Sequence, residues 1–160
     1  MTHPNEAQLR ETYEAVGDGN LDVLLDALAD DIVWEDSSLG PLAGRYHGKE
    51  AVGAFFGKMF EVYRGTLRLD VLDVVANDDH GVVLTCERGE AGDEAVNWRG
   101  VHIWTFREGR CAEFVAVNEG AYNGFWGGRE VATPPRSERR RVGRRDERAQ
   151  RHRGYAVDGP

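Results

Sequence analysis

The sequence predicts an α+β domain in which helices lie on one face of a curved, mainly antiparallel sheet. Two observations carry that expectation. Apolar residues recur at helical spacing in three segments up to Tyr63, then at a period of two from Thr66 onward. The second half contains four β-type runs divided by turn sequences with no crossover helix between them, which suits an antiparallel meander.

The elements follow in order. Leu9, Tyr13 and Val16 fall at i, i+4 and i+7 and mark a first helix, with Tyr13 packing its ring on the apolar stripe. A tight "GDGN" connection follows, and Asn20 is a good N-cap for a second helix carrying Leu21, Leu24, Leu25 and Leu28. A short strand is expected over 31–36. The third helix shows the broadest stripe, Val52, Phe55, Phe56, Met59 and Tyr63, between Gly48 and Gly65. The runs "TLRLDVLDVV", "GVVLTCERG", "EAVNWRGVHIWTF" and "RCAEFVAVN" then alternate as strands, separated by "ANDDHG", "EAGD" and "REGR". Five or six strands with three helices in front enclose a concave space.

The chain of 160 residues is long enough for one core without disulfides or a structural metal. Its net charge of −8 is unevenly spread. Residues 1–128 hold 10 basic and 23 acidic side chains, whereas 129–160 hold 10 arginines and 5 acids. The first stretch is read as the folded domain. The second, beyond "FWGG", has too few apolar side chains to repay ordering and is expected to be a disordered, Arg-rich tail. Nucleic-acid contact through that tail is the weaker expectation, since its acids partly offset its arginines. Cys86 and Cys111 lie in apolar runs and read as buried thiols of a reducing compartment. No run approaches the ~18–20 apolar residues of a membrane span, and the N-terminus lacks a signal-peptide layout, so a cytoplasmic protein without membrane partners is expected.

One position stands out. In "DDIVWED", Ile32, Trp34 and Asp36 share a face, which puts a carboxylate beside an indole where burial is expected. Asp36 precedes Ser37 and Ser38, so it can cap a turn, or it can be a base in a cavity. In the longest strand Val96, Trp98, Gly100, His102, Trp104 and Phe106 share one face, a single histidine in a line of aromatics. The last strand offers Phe114, Ala116 and Asn118 on one side and Glu113, Val115, Val117 and Glu119 on the other; periodicity leaves the inward side open.

The stretches "AVGDGNLDVLLDALADDIVWED", "GPLAGRYHGKEAVGAFF" and "GVHIWTFREGRCAEFVAVNEGAYNGFW" together resemble the SnoaL-like polyketide cyclases of the nuclear-transport-factor-two-like superfamily, which includes the ketosteroid isomerases. The resemblance spans residues 8 to 127. It implies a cone-shaped curved sheet closed by three helices over an apolar pocket, often dimerised through the sheet's outer surface. It places Asp36 where the isomerases hold a general base, and His102 where they hold a donor and SnoaL-like chains often hold histidine. Thr12, not Tyr13, falls at the isomerases' oxyanion tyrosine, and Asn118 falls where many SnoaL-like chains carry an acid.

The expectation is therefore a cofactor-independent acid/base enzyme cyclising or isomerising a hydrophobic carbonyl compound. Asp36 would be the acid/base and His102 its electrostatic partner. Trp34, Trp98 and Trp104 would wall the ligand, with Tyr46 at the entrance and Asn118 near the mouth. Tryptophans in such positions are more often core than ligand wall. Epoxide hydrolysis or opening is an alternative, with Glu113 or Glu119 as second acid, and a non-catalytic binding or dimerisation module is another. Phosphate-loop, zinc and serine-hydrolase chemistries are excluded by motif: "GRYHGKE" is too short for a phosphate loop, the five histidines lack paired spacing, and no Gly-x-Ser-x-Gly occurs.

Overall fold

The computed structural model describes residues 1–127. The expected tail over 129–160 lies outside the described residues. The chain runs α1 (Pro4–Gly17), α2 (Leu21–Ala27), β1 (Leu28–Asp36), β2 (Gly44–His47), α3 (Lys49–Tyr63), β3 (Arg68–Ala76), β4 (His80–Ala91), β5 (Glu94–Arg107), β6 (Arg110–Asn118) and α4 (Gly120–Gly127). Its six strands form one sheet in the order β2-β1-β6-β5-β4-β3, antiparallel except where β1 runs parallel to β6. This is the α+β architecture that the change of period predicts.

Three details differ from the sequence expectation. The second helix stops at Ala27, and Leu28 already pairs with Cys111 as the start of β1. Fully buried Leu28 serves the core from a strand, because an apolar residue at the end of a helical stripe fits either element. Asn20 makes no side-chain capping bond. Two elements, β2 and α4, had no expectation: β2 is only four residues long, and the glycine-rich sequence of α4 reads as a turn.

The start of α1 is tied down by Asn5, whose amide donates to the Asn77 and Asp78 carbonyls in the β3–β4 turn at 2.9 and 3.2 Å. The helix then crosses β4 closely. A Cβ at Gly81 would lie 2.6 Å from Leu9 and 3.2 Å from Phe106, so glycine is what permits the approach. The core runs through Leu9, Leu24, Ile32, Val52, Val83 and Phe114 between the helices and the concave face. Registered pairs Val82–Ile103, Leu84–Val101, Val101–Val117 and Ile103–Val115 make the convex face apolar, with Leu84, Ile103 and Val117 exposed.

Leu9 is 2 % exposed in the contact that seats α1. Leu9→Ala should lower unfolding free energy by about 2–5 kcal/mol, read from urea midpoints at unchanged m-value.

Candidate functional site

Asp36, His102 and Trp104 face inward because strand alternation leaves them no other side. Asp36 is registered with Ala116 of β6, and Ala116 with His102 of β5. The three form a row across the concave face, so Asp36 and His102 stand two strand spacings, about 10 Å, apart at the backbone. Between them the small Ala116 side chain leaves room. The row lies in a cavity of about 470 Å³, lined in part by the α1–α2 turn and the α3–β3 connection. Trp34, Phe55, Phe56, Trp104 and Phe114 supply its aromatic walls. Trp34 stacks on Phe114 with centroids 3.6 Å apart and meets Trp104 edge-on at 5.8 Å.

Asp36 is 5 % exposed. Its Oδ1 accepts the Ser38 backbone N–H at 2.9 Å, so it caps the turn after β1 and faces the cavity at once. Burial pushes its carboxyl above the usual aspartate value; the Ser38 bonds oppose the rise, Glu87's charge adds to it and His102 draws it down.

His102 sits in a hydrogen-bonded cluster. Its Nδ1 is 2.6 Å from the Tyr13 hydroxyl, which accepts the Trp104 indole N–H at 3.1 Å. Its Nε2 is 3.5 Å from Glu87 Oε1, while Glu87 Oε2 accepts the Trp98 N–H at 3.0 Å. Burial raises the Tyr13 phenol well above its ordinary value; the Trp104 bond lowers it and Glu87's charge raises it further.

Asp36, His102, Trp34, Trp104 and Asn118 thus line one cavity, and Trp98 and Tyr46 stand apart from its lining. Trp98 is 2 % exposed and packs edge-on against Tyr122 of α4. Tyr46 donates to the Leu42 carbonyl at 2.8 Å, its ring set against Phe55. The open face of β6 is decided in favour of Asn118: Glu119 accepts the Arg99 backbone N–H on the outside, and Glu113 lies near Arg45. Neither of those acids reaches the cavity.

Glu87 and Tyr13 had no site expectation. Glu87 could have been found by the argument that singled out Asp36, since Val83, Thr85 and Glu87 alternate onto one face in "GVVLTCERG". Tyr13 could not, because a tyrosine on a helical stripe reads as packing until its partner on a distant strand is known.

Gly100 is what lets the polar side chains converge. A Cβ there would lie 2.8 Å from Thr85 Oγ1, 3.0 Å from Asn118 Oδ1 and 3.2 Å from Glu87 Oε1. Among the described residues no cluster of three or more His, Cys, Asp or Glu is placed to hold a metal ion, and no helix is long and apolar enough to cross a membrane.

The raised Asp36 carboxyl has a consequence for stability. A folded-state value above the unfolded 3.8 means the native protein binds the proton more tightly, so stability falls as pH rises through that window. Asp36→Asn, which keeps an acceptor for Ser38, should therefore raise the urea midpoint at pH 7 and leave it nearly unchanged well below pH ~3.8. A lower midpoint at pH 7 would contradict the assigned burial cost.

Comparison with known proteins places these residues in context. The family model for the SnoaL-like domain matches residues 9–114. An NTF2-like protein of unknown function from Burkholderia pseudomallei K96243 is similar at 29 % identity and a TM-score of 0.66, over 74 % of this chain and 92 % of that one. TerC, crystallised with polyporic acid, shares 20 % identity at a TM-score of 0.66, covering 73 % and 92 % of the two chains. A protein from Jannaschia sp. CCS1, assigned to the SnoaL-like polyketide cyclases, shares 20 % identity at a TM-score of 0.62 over 84 % and 99 %. No curated protein matches. The six-stranded curved sheet, the helices over its concave face and a matched segment covering most of the chain together show that it belongs to the SnoaL-like domain family, within the NTF2-like superfamily.

Proposed function

We propose that this protein is a cofactor-independent acid/base enzyme that cyclises or isomerises a hydrophobic, polyketide-like carbonyl compound. The supporting observation is the row Asp36–Ala116–His102: a buried carboxylate and a histidine cluster two strand spacings apart on the concave face, both lining one aromatic-walled cavity. Asp36 removes a proton from carbon beside the carbonyl and returns it at the new position. Burial makes it a stronger base than a solvated aspartate. The His102 cluster lies on the oxygen side of the ligand, across the row from Asp36. Flat walls at Trp34, Trp104 and Phe114 suit a planar, conjugated ligand.

The direct test is α-proton exchange into D2O, followed by NMR over a panel of aryl ketones. Wild-type protein should accelerate exchange of at least one of them. Asp36→Asn should slow that exchange by about 10²–10⁴-fold without loss of ligand binding. A ligand bound with no acceleration, or equal exchange by the variant, would favour a binding module.

Glu87 favours a second reading, because it supplies the inward acid that Glu113 and Glu119 do not. Epoxide opening needs two such groups, and diol formation from an aryl epoxide would distinguish it from ketone chemistry.

A second copy of the chain is the partner that suits the convex face, where Leu84, Ile103 and Val117 are 41 %, 38 % and 44 % exposed. Ile103→Lys should shift a dimer to monomer in analytical ultracentrifugation with its circular dichroism unchanged. A wild-type protein that sediments as monomer would remove the proposal.

A further inference from the structure

We propose that Glu87, His102 and Tyr13 form a proton relay acting as base on a hydroxyl group of the ligand, so that the substrates carry an enol or phenol O–H as well as a carbonyl. This deepens the acid/base assignment and rests on it for the role of Asp36.

The polarity of the chain follows from which groups have protons to give. An indole N–H only donates, and a carboxylate only accepts. Trp98 donates to Glu87 Oε2, leaving Oε1 facing His102 Nε2 at 3.5 Å. In the relay the ring hydrogen sits on Nε2, where it faces the carboxylate, and Nδ1 presents a lone pair. At 2.6 Å that lone pair takes the Tyr13 O–H. Trp104 donates to the same hydroxyl oxygen from the other side at 3.1 Å. Tyr13 has then given its only proton and received one donor, and its oxygen keeps one acceptor site. Tyr13 and His102 both line the cavity, so a ligand O–H is the donor that fits this site.

The step balances without a co-reactant. The ligand O–H bond breaks and its proton goes to the Tyr13 oxygen. The original Tyr13 proton passes to His102 Nδ1, and the ligand oxygen keeps the electron pair as enolate or phenolate. The resulting imidazolium lies beside Glu87. Tyr13 remains a neutral phenol before and after, which accords with a buried hydroxyl held well above its ordinary pKa. Tyr13 is the catalytic residue here, touching the ligand, and His102 and Glu87 are positioning residues behind it. The groups facing His102 are Tyr13 from α1, Glu87 from β4 and the Asp36 charge from β1. Asp36, about two strand spacings away, stays free to handle the proton on carbon.

The test uses the full chain and 4-nitrophenol, whose phenol and phenolate forms differ in visible absorption. Bound to wild type, the probe's phenolate-to-phenol ratio should exceed that in buffer at the same pH by about tenfold, the equivalent of one pKa unit. Glu87→Gln keeps an acceptor for Trp98 and removes the carboxylate behind His102, and Tyr13→Phe removes the relay's first oxygen. Each variant should return the ratio about tenfold toward the buffer value while still binding the probe. Far-UV circular dichroism checks folding, and Tyr13→Phe carries the test should Glu87→Gln unfold. Failure to bind the probe, a probe bound as phenol, or a ratio unmoved in the folded variants would overturn the relay. So would a ratio that collapses in Asp36→Asn but in neither relay variant. Failure of the carbonyl assignment reads differently: ketone exchange would not respond to Asp36→Asn, while the nitrophenol ratio still followed Glu87 and Tyr13.

Discussion

The Tyr13 hydroxyl, held between His102 and Trp104, is the contact on which the arrangement of this molecule depends. It is the point where a helix at the start of the chain is fixed in rotation against a strand ninety residues later. An apolar helix face can slide on an apolar sheet at small cost, because dispersion and burial are non-directional. A buried hydroxyl cannot, since losing its partners costs about 1–3 kcal/mol. The same contact holds α1 over one side of the cavity and brings a phenol oxygen into a space with aromatic walls.

Placing two carboxylates in such a space costs stability, and the surroundings show how the cost is limited. Asp36 sits at the end of β1, where the turn supplies the Ser38 N–H. Glu87 lies within the sheet and is held by an indole N–H and the His102 ring. Gly100 and Ala116, two small residues on the concave face, stand beside these polar groups. One lets Thr85, Glu87 and Asn118 converge, and the other keeps the centre of the row open. A sheet optimised for packing alone would place larger side chains at both.

The SnoaL-like scaffold explains how such a site is built. A sheet curled around its helices gives long strands a concave face on which every second residue points at a common space. Residues far apart in sequence become neighbours in rows set by register: Asp36, Ala116 and His102 in one, Gly100 and Asn118 in another. Chemistry on this fold is therefore a matter of which side chains occupy a few row positions, while the remaining inward residues form the core. Trp98 illustrates the division, since it shares its strand face with His102 yet packs under α4.

What depends on local order can be read along the chain. Three amphipathic stripes, the change to period two and the glycine- and acid-rich turns specify helices followed by strands, because side-chain direction repeats with a fixed period in each. Alternation also placed Asp36 and His102 on apolar faces, where a polar group calls for a reason. The two β-bonded faces of β6 were different: both carry apolar residues, one for the cavity side and one for the convex surface, so local pattern had no preference between Asn118 and Glu119. Tertiary structure decided that phase through the pairing of β6 with both β1 and β5. It decided equally that Trp98 and Tyr46 stand outside the cavity, and that Tyr13 and Glu87 meet at His102. Those outcomes depend on strand register and helix crossing, which join residues with no spacing in common, so no period along the chain records them.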